Sequence, residues 1–269
     1  MKLLELELKD LHQIEDLIIS ISNKTLLPYL NQTTADVKKD GSIVTEADLV
    51  MQSAIHQALQ LSYNPQITLL GEESDLTVQQ EIIANNDQYW VLDPLDGTTN
   101  FHNNFPIFCI SLAFIQNNEV KLGVIYDPIR KECFSALKGF GFFYNQTKVS
   151  ITQANTPKLS DCIAFVDFKR INKQKGRELI ENTPFKSQRN IGSSALEWAW
   201  LAINRANLTF HGGQKLWDYA AGSLLLSEAG GYSQDSEGGA VFQNNMDERP
   251  IIAASSKALC QQWALALNG

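Results

Sequence analysis

The chain has 269 residues, 44% hydrophobic and 19% charged, the make-up of an ordinary globular protein large enough to bury a substantial core and to divide into two domains. Its formal net charge is −8, so it lacks the basic excess that displaces counterions from nucleic acid or an anionic membrane. Basic pairs such as Lys38-Lys39 or Lys169-Arg170 would serve one small anion at most.

Apolar residues spaced three and four apart around Leu11, Ile14, Ile18 and Ile21 predict a helix over 3–30. After the turn-like Asp40-Gly41-Ser42, Thr45 opens a second helix running to 61. A strand over 66–70 leads into Gly71-Glu72-Glu73-Ser74. After a brief helix, Tyr89-Trp90-Val91-Leu92 reads as a buried strand ending at Asp93-Pro94. Residues 107–144 read as a meander with strands at 107–115, 121–126, 132–137 and 142–144. The rhythm then becomes α/β: strand 163–167, polar helix 172–182, strand 187–191 and helix 193–204. Strand 207–211, helix 219–229, strand 251–253 and a terminal helix complete the chain. A boundary at 145–155 separates an α+β domain over 1–148 from an α/β domain over 149–269.

The four cysteines are scattered and the four histidines form no H-E-x-x-H pair, which argues against a zinc site or a disulfide framework. The N-terminus carries acids throughout and is not expected to be a signal peptide. No apolar run approaches the roughly 18 residues that span a bilayer, so cytoplasm is the expected location.

Three segments place acids where the backbone turns: Glu72-Glu73, Asp93 with Asp96, and Asp218. Each has an ordinary structural explanation. Asp96-Gly97 is a common turn dipeptide, Asp218 a helix N-cap candidate, and Thr45-Glu46-Ala47-Asp48 an acidic capping box. Together they point further, because gathered carboxylates repel and raise one another's pKa unless a cation neutralises them. An all-oxygen set without histidine or thiolate selects a hard ion such as Mg²⁺. Gly97, Thr98 and Thr99 would offer backbone N–H groups to a phosphate held by that ion.

WVLDPLDGTTNF (from Trp90), GEES (from Gly71), VTEAD (from Val44) and WDYAAG (from Trp217) resemble the signature segments of inositol monophosphatases, in the same order and at similar separations. The resemblance implies a layered α-β-α-β-α sandwich, magnesium-dependent and lithium-sensitive phosphatase activity, and a homodimer. It implies that Glu72, Asp93 and the carbonyl of Leu95 hold one Mg²⁺, and that Asp93, Asp96 and Asp218 hold a second. Glu72 would help hold a weaker third through water. Thr98, paired with Asp48, would orient and deprotonate the attacking water, so that water meets phosphorus directly without a phosphoenzyme.

For the substrate rim, the resemblance places Ser194, in Arg189-Asn190-Ile191-Gly192-Ser193-Ser194, against sugar hydroxyls; a serine-capped helix start is the plainer reading. Family members that prefer inositol phosphates carry a glutamate where this chain has His211, followed closely by Lys215. A cationic rim would suit a second phosphate, as in a sugar bisphosphate or 3'-phosphoadenosine 5'-phosphate. A surface histidine without a ligand role is the alternative. The expected partner is a small phosphorylated polyol, sugar or nucleotide. A regulatory protein that keeps the fold and docks to a partner, as some bacterial relatives do with transcription machinery, is the other class to weigh.

Overall fold

The computed structural model describes residues 3–30, 35–37, 43–150 and 156–268. Lys38-Lys39, Asp40-Gly41-Ser42 and the middle of the expected domain boundary lie outside the described residues.

Helix α1 (Leu8–Ile21) begins later than its apolar pattern suggested. The preceding residues are held otherwise: Leu4 N–H donates to Gln88 Oε1 and Leu4 C=O accepts from Gln116 Nε2, both at 2.8 Å. Glu7 N–H then donates to Asp10 Oδ2 at 2.8 Å, which sets the helix start. A π turn at Ser22–Leu26 and a 3₁₀ turn at Leu27–Tyr29 extend the helical path. Short strands β1 (Ala35–Val37) and β2 (Ile43–Thr45) pair antiparallel ahead of α2 (Glu46–Ser62).

The first sheet has seven strands in sequence order: β3 (Thr68–Gly71), β4 (Gln88–Asp96), β5 (Cys109–Gln116), β6 (Glu119–Asp127), β7 (Glu132–Leu137), β8 (Gly141–Tyr144) and β9 (Thr147–Val149). β3 and β4 are parallel, with α3 (Leu76–Asn85) crossing between them, and every later neighbouring pair is antiparallel. The meander is present as expected, with β9 as an added edge. β4 runs on to Asp96, past the Leu92 that ends its apolar core. Asp96 still pairs with Cys109, across a register shift that accommodates Pro94, which has no N–H to give the ladder. The turn therefore begins at Gly97, which leads into α4 (Thr98–His102).

The second sheet has the order β11-β10-β12-β14-β13. Its members are β10 (Ile163–Val166), β11 (Ser187–Arg189), β12 (Leu208–Gln214), β13 (Tyr232–Gln234) and β14 (Arg249–Ala254). Between them run α5 (Lys173–Glu181), α6 (Ser194–Ala202) and α7 (Leu216–Glu228), and α8 (Lys257–Asn268) follows.

Three apolar cores order the layers. Leu11, Ile18, Met51 and Ile55 of α1 and α2 pack on Trp90, Leu92 and Leu112. The opposite face of that sheet, with Val91, Ala113 and Ile125, meets Leu196, Trp198 and Leu225 of α6 and α7. The same helices reach Ile251 and Ala253 of the second sheet. Its far face buries Ala164, Leu208 and Ile252 against Leu179, Leu259 and Trp263 of α5 and α8. The result is the expected α-β-α-β-α sandwich, with α6 and α7 as the layer shared by both sheets.

Candidate active site

The site forms where β4, α4, α6 and α7 meet. The parallel register of β3 and β4 pairs Gly71 with Leu92, so Glu72 follows directly beside Asp93, its N–H donating to Leu92 C=O at 3.0 Å. At the bulge, Leu95 N–H donates to Asp93 Oδ1 at 3.1 Å. Asp218 lies at the third position of α7, where its Oδ2 accepts the N–H of Lys215 at 2.8 Å. Lys215, not Asp218, is thus the N-cap residue. One carboxylate oxygen from each of Asp93, Asp96 and Asp218 falls within 4.8 Å of the other two.

These acids share a low-dielectric space. Burial, then the charges of Glu72, Asp96 and Asp218, push Asp93 well above the usual carboxylate range. Burial, then Asp96, pushes Asp218 up to about 8. Asp96 is raised by burial too, against three opposing hydrogen bonds from the start of α6. Ser193 Oγ and Ala195 N–H donate to its Oδ2 at 2.6 and 2.7 Å, and Ser194 N–H donates to its Oδ1 at 3.2 Å. Carboxylates forced together this way hold protons unless a cation replaces them. Their oxygen-only character fits a hard divalent ion such as Mg²⁺.

Beside the cluster stands a hydroxyl–carboxylate pair. Asp48 Oδ2 accepts from Thr45 N–H at 2.7 Å and from Thr45 Oγ1 at 2.6 Å, which completes the capping contact at the head of α2. Its second oxygen is 3.1 Å from Thr98 Oγ1, which also lies 3.0 Å from Leu95 C=O. Capping and orientation of Thr98 thus use different oxygens of one side chain. Burial raises the Asp48 pKa, while the Thr45 hydrogen bonds oppose it.

Gly97 sits at φ 96°, and a Cβ there would lie 3.1 Å from Ile107 C=O and 3.3 Å from Gly192 C=O. Only glycine lets the two halves of the chain approach so closely at this turn. Asn100 closes the same junction, its Nδ2 donating to Ile107 and Ile191 carbonyls at 2.7 Å each.

The rim differs from the sequence reading in two respects. The serine at the N-cap of α6, Ser193, directs its hydroxyl to Asp96 and not to the helix, while Ser194 brings its backbone N–H to the same acid. His211 is 6% exposed and so is not a surface histidine; its Nε2 lies 3.5 Å from Asp167 Oδ2. Lys215 places its ammonium 5.4 Å from the centre of the Trp217 ring. The sequence reading missed Ser193, Asn100 and Glu197. Glu197 is buried, accepts Ile191 N–H at 3.3 Å and is pushed up to about 8 by that burial. The Ser194-Ala195-Leu196-Glu197 spacing was a visible signal for an acid near this helix start.

The family model "Inositol monophosphatase family" matches residues 13–267. The chain is 35% identical over 225 residues to a protein of Xylella fastidiosa named Nus factor SuhB, covering 81% of this chain and 78% of that one. It is 33% identical over 242 residues to an inositol monophosphatase of Dictyostelium discoideum, covering 86% and 85%. A crystal structure described as an IMPase/NADP phosphatase complexed with Mg²⁺ and phosphate superposes with a TM-score of 0.82 at 26% identity, over 97% of each chain. With its signature acids gathered at one junction and this similarity along nearly its whole length, the chain belongs to the inositol monophosphatase family.

Proposed function

We propose that the protein is a Mg²⁺-dependent phosphomonoesterase acting on small phosphorylated polyols or sugars. The observation that carries this reading is the convergence of Asp93, Asp96 and Asp218 within 4.8 Å, beside the Thr98–Asp48 pair. Glu72, Asp93, the carbonyl of Leu95, Asp96 and Asp218 would hold the ions. Bound there, Mg²⁺ supplies Lewis-acid stabilisation of phosphoryl and leaving-group charge.

The chain's own groups manage the protons. Thr45 fixes Asp48 through Oδ2, which leaves Oδ1 to take the Thr98 hydroxyl proton. Thr98 Oγ1 is then free to accept a proton from the water that attacks phosphorus. The raised affinity of Asp48 for protons favours this transfer. The N–H groups of Gly97 and Thr98, at the start of α4 and without intrahelical acceptors, orient the phosphate oxygens.

The purified protein should release phosphate from a polyol monophosphate only with Mg²⁺. Asp93→Asn should reduce turnover by about a hundredfold or more, as expected for loss of metal charge stabilisation. Full activity in that variant would overturn the reading. A panel of inositol phosphate, fructose 1,6-bisphosphate, adenosine 3',5'-bisphosphate and NADP ranks the substrates.

The SuhB relatives named as Nus factors favour a second reading, a regulatory docking role. Partner capture that survives Asp218→Asn supports docking independent of catalysis, whereas a phenotype lost with that variant supports chemistry.

A further inference from the structure

The phosphatase reading accounts for the phosphate end of a substrate and leaves its alcohol end unassigned. β11, β10 and β12 are parallel neighbours, and their carboxyl ends emerge on one side of the second sheet. Asp167 follows β10, Asn190 follows β11, and His211 lies in β12, one step past the Val166–Phe210 register pair. The carboxyl edge of parallel strands is where α/β sheets present ligand-binding groups. From it the chain leads within a few residues to both halves of the acid cluster: Asn190 into the Ser193–Ala195 grip on Asp96, and His211 to Asp218.

The hydrogen bonds define what this edge offers. Gly213 N–H donates to His211 Nδ1 at 3.1 Å, which assigns the ring N–H that faces the sheet edge to Nε2. That N–H faces Asp167 Oδ2 across 3.5 Å. His211 is therefore oriented to steady an acid. Asp167 Oδ1 accepts Lys169 N–H at 2.9 Å and Asn190 Nδ2 at 3.2 Å. Among the described residues Oδ2 has the long approach from His211 alone and so retains lone-pair capacity, and the side chain is 20% exposed.

The turn that carries Asp167 is fixed in place. Arg170 N–H donates to Asp167 C=O at 3.1 Å, and the Arg170 carbonyl packs so tightly on Gly212 that a Cβ there would sit 1.7 Å away.

We propose that Asp167, held by Asn190 and steadied by His211, accepts hydroxyl hydrogen bonds from the substrate and selects hydroxyl-bearing polyol or sugar monophosphates over bisphosphates; this rests on the phosphatase reading of the adjacent cluster. Asp167 is the specificity residue and His211 its positioning residue. A second phosphate meets a carboxylate at this edge, where an isolated reading of His211 and Lys215 would have offered cations.

The test compares two substrates on the intact protein with Mg²⁺: myo-inositol 1-phosphate, and p-nitrophenyl phosphate, which has no hydroxyls to bind. In Asp167→Ala the ratio of kcat/KM for the first over the second falls about tenfold or more, mostly through KM, as expected for loss of a charged acceptor. Asp167→Asn, which keeps an acceptor for Lys169 N–H, shows a smaller fall in the same direction. His211→Phe reproduces the fall and His211→Gln, which keeps a donor, restores most of the ratio. An unchanged ratio in Asp167→Ala overturns the proposal, as does wild-type preference for fructose 1,6-bisphosphate that is lost in His211→Gln. Absence of turnover of both probes by the wild type would instead sink the phosphatase reading itself, and this inference with it.

Discussion

Glu197 lies within the central helical layer, where its carboxylate accepts the Ile191 N–H, and burial pushes its pKa up to about 8. In the unfolded chain it ionises near its usual 4.5. Between those values the folded state holds a proton that the unfolded state does not, so stability falls as pH rises. The contribution is complete below about pH 4.5 and is lost as pH passes through about 8. Urea unfolding of the metal-free protein should show this slope, and Glu197→Gln should flatten it by on the order of a few kcal/mol across the window. An identical slope in the variant would refute this origin. Thr98 makes a sharper prediction. On the proposed mechanism Thr98→Ala removes the hydroxyl that bonds Asp48 and should lower kcat by about 10²–10⁴-fold, whereas Thr98→Ser should retain most of it. Both variants matching wild-type kcat would exclude Thr98 from proton transfer. Asp93, Asp96 and Thr98 were legible in the sequence because their chemistry sits in one short run after an apolar strand. Glu197 and Asp167 were not. Each looks like an ordinary helix or turn acid until the fold shows one enclosed and the other backed by a histidine 44 residues away in sequence.

Among the elements, the α6–α7 crossing is tightly packed. A Cβ on Gly222 would lie 2.3 Å from Trp198 Cβ and 2.4 Å from its Cγ. Trp198 has little freedom to withdraw, since its indole N–H donates to Gln214 Oε1 at 2.9 Å within the buried core. On the sheet side, the Ala221 carbonyl approaches the position of a Gly123 Cβ to 2.9 Å. The small residues of the Trp217–Gly222 run are therefore spacers that set α7 between a helix and a sheet. Gly222→Ala should cost about 1–3 kcal/mol by overpacking and lower the melting temperature by several degrees. Because α7 carries Asp218, Mg²⁺ affinity should weaken in the same variant. Unaltered melting and metal affinity would show that α7 shifts without penalty. Element type was readable from periodicity and turn residues almost everywhere, most clearly in the β5–β8 meander. The ends of elements were less so, because long-range partners set them. Gln88 and Gln116 delay the start of α1, and Cys109 keeps Asp96 in β4 beyond a proline that appeared to end it.

For the molecule as a whole, the acids come from different layers: Asp93 and Asp96 from the first sheet, and Asp218 from the shared helical layer. Closing the sandwich therefore brings repelling groups together, and something must neutralise them. Without metal, protons do so. Asp218, with its pKa lifted to about 8 by burial and then by Asp96, contributes stability that is full below about pH 4 and lost as pH rises through about 8. On the proposed function a Mg²⁺ ion held by these acids would displace those protons, so binding at pH 7 should release protons to the buffer. Calorimetric titrations in two buffers of different ionisation enthalpy should therefore give different apparent heats. Affinity should drop as pH falls below 8, approaching tenfold per unit for each proton displaced. Chelation should lower the melting temperature more at pH 8 than at pH 6, because at the lower pH protons already occupy the place of the ion. Asp218→Asn should bind Mg²⁺ more weakly and release fewer protons as it does so. Heats independent of buffer, together with a chelator effect equal at both pH values, would mean that the gathered carboxylates are not where the ion binds.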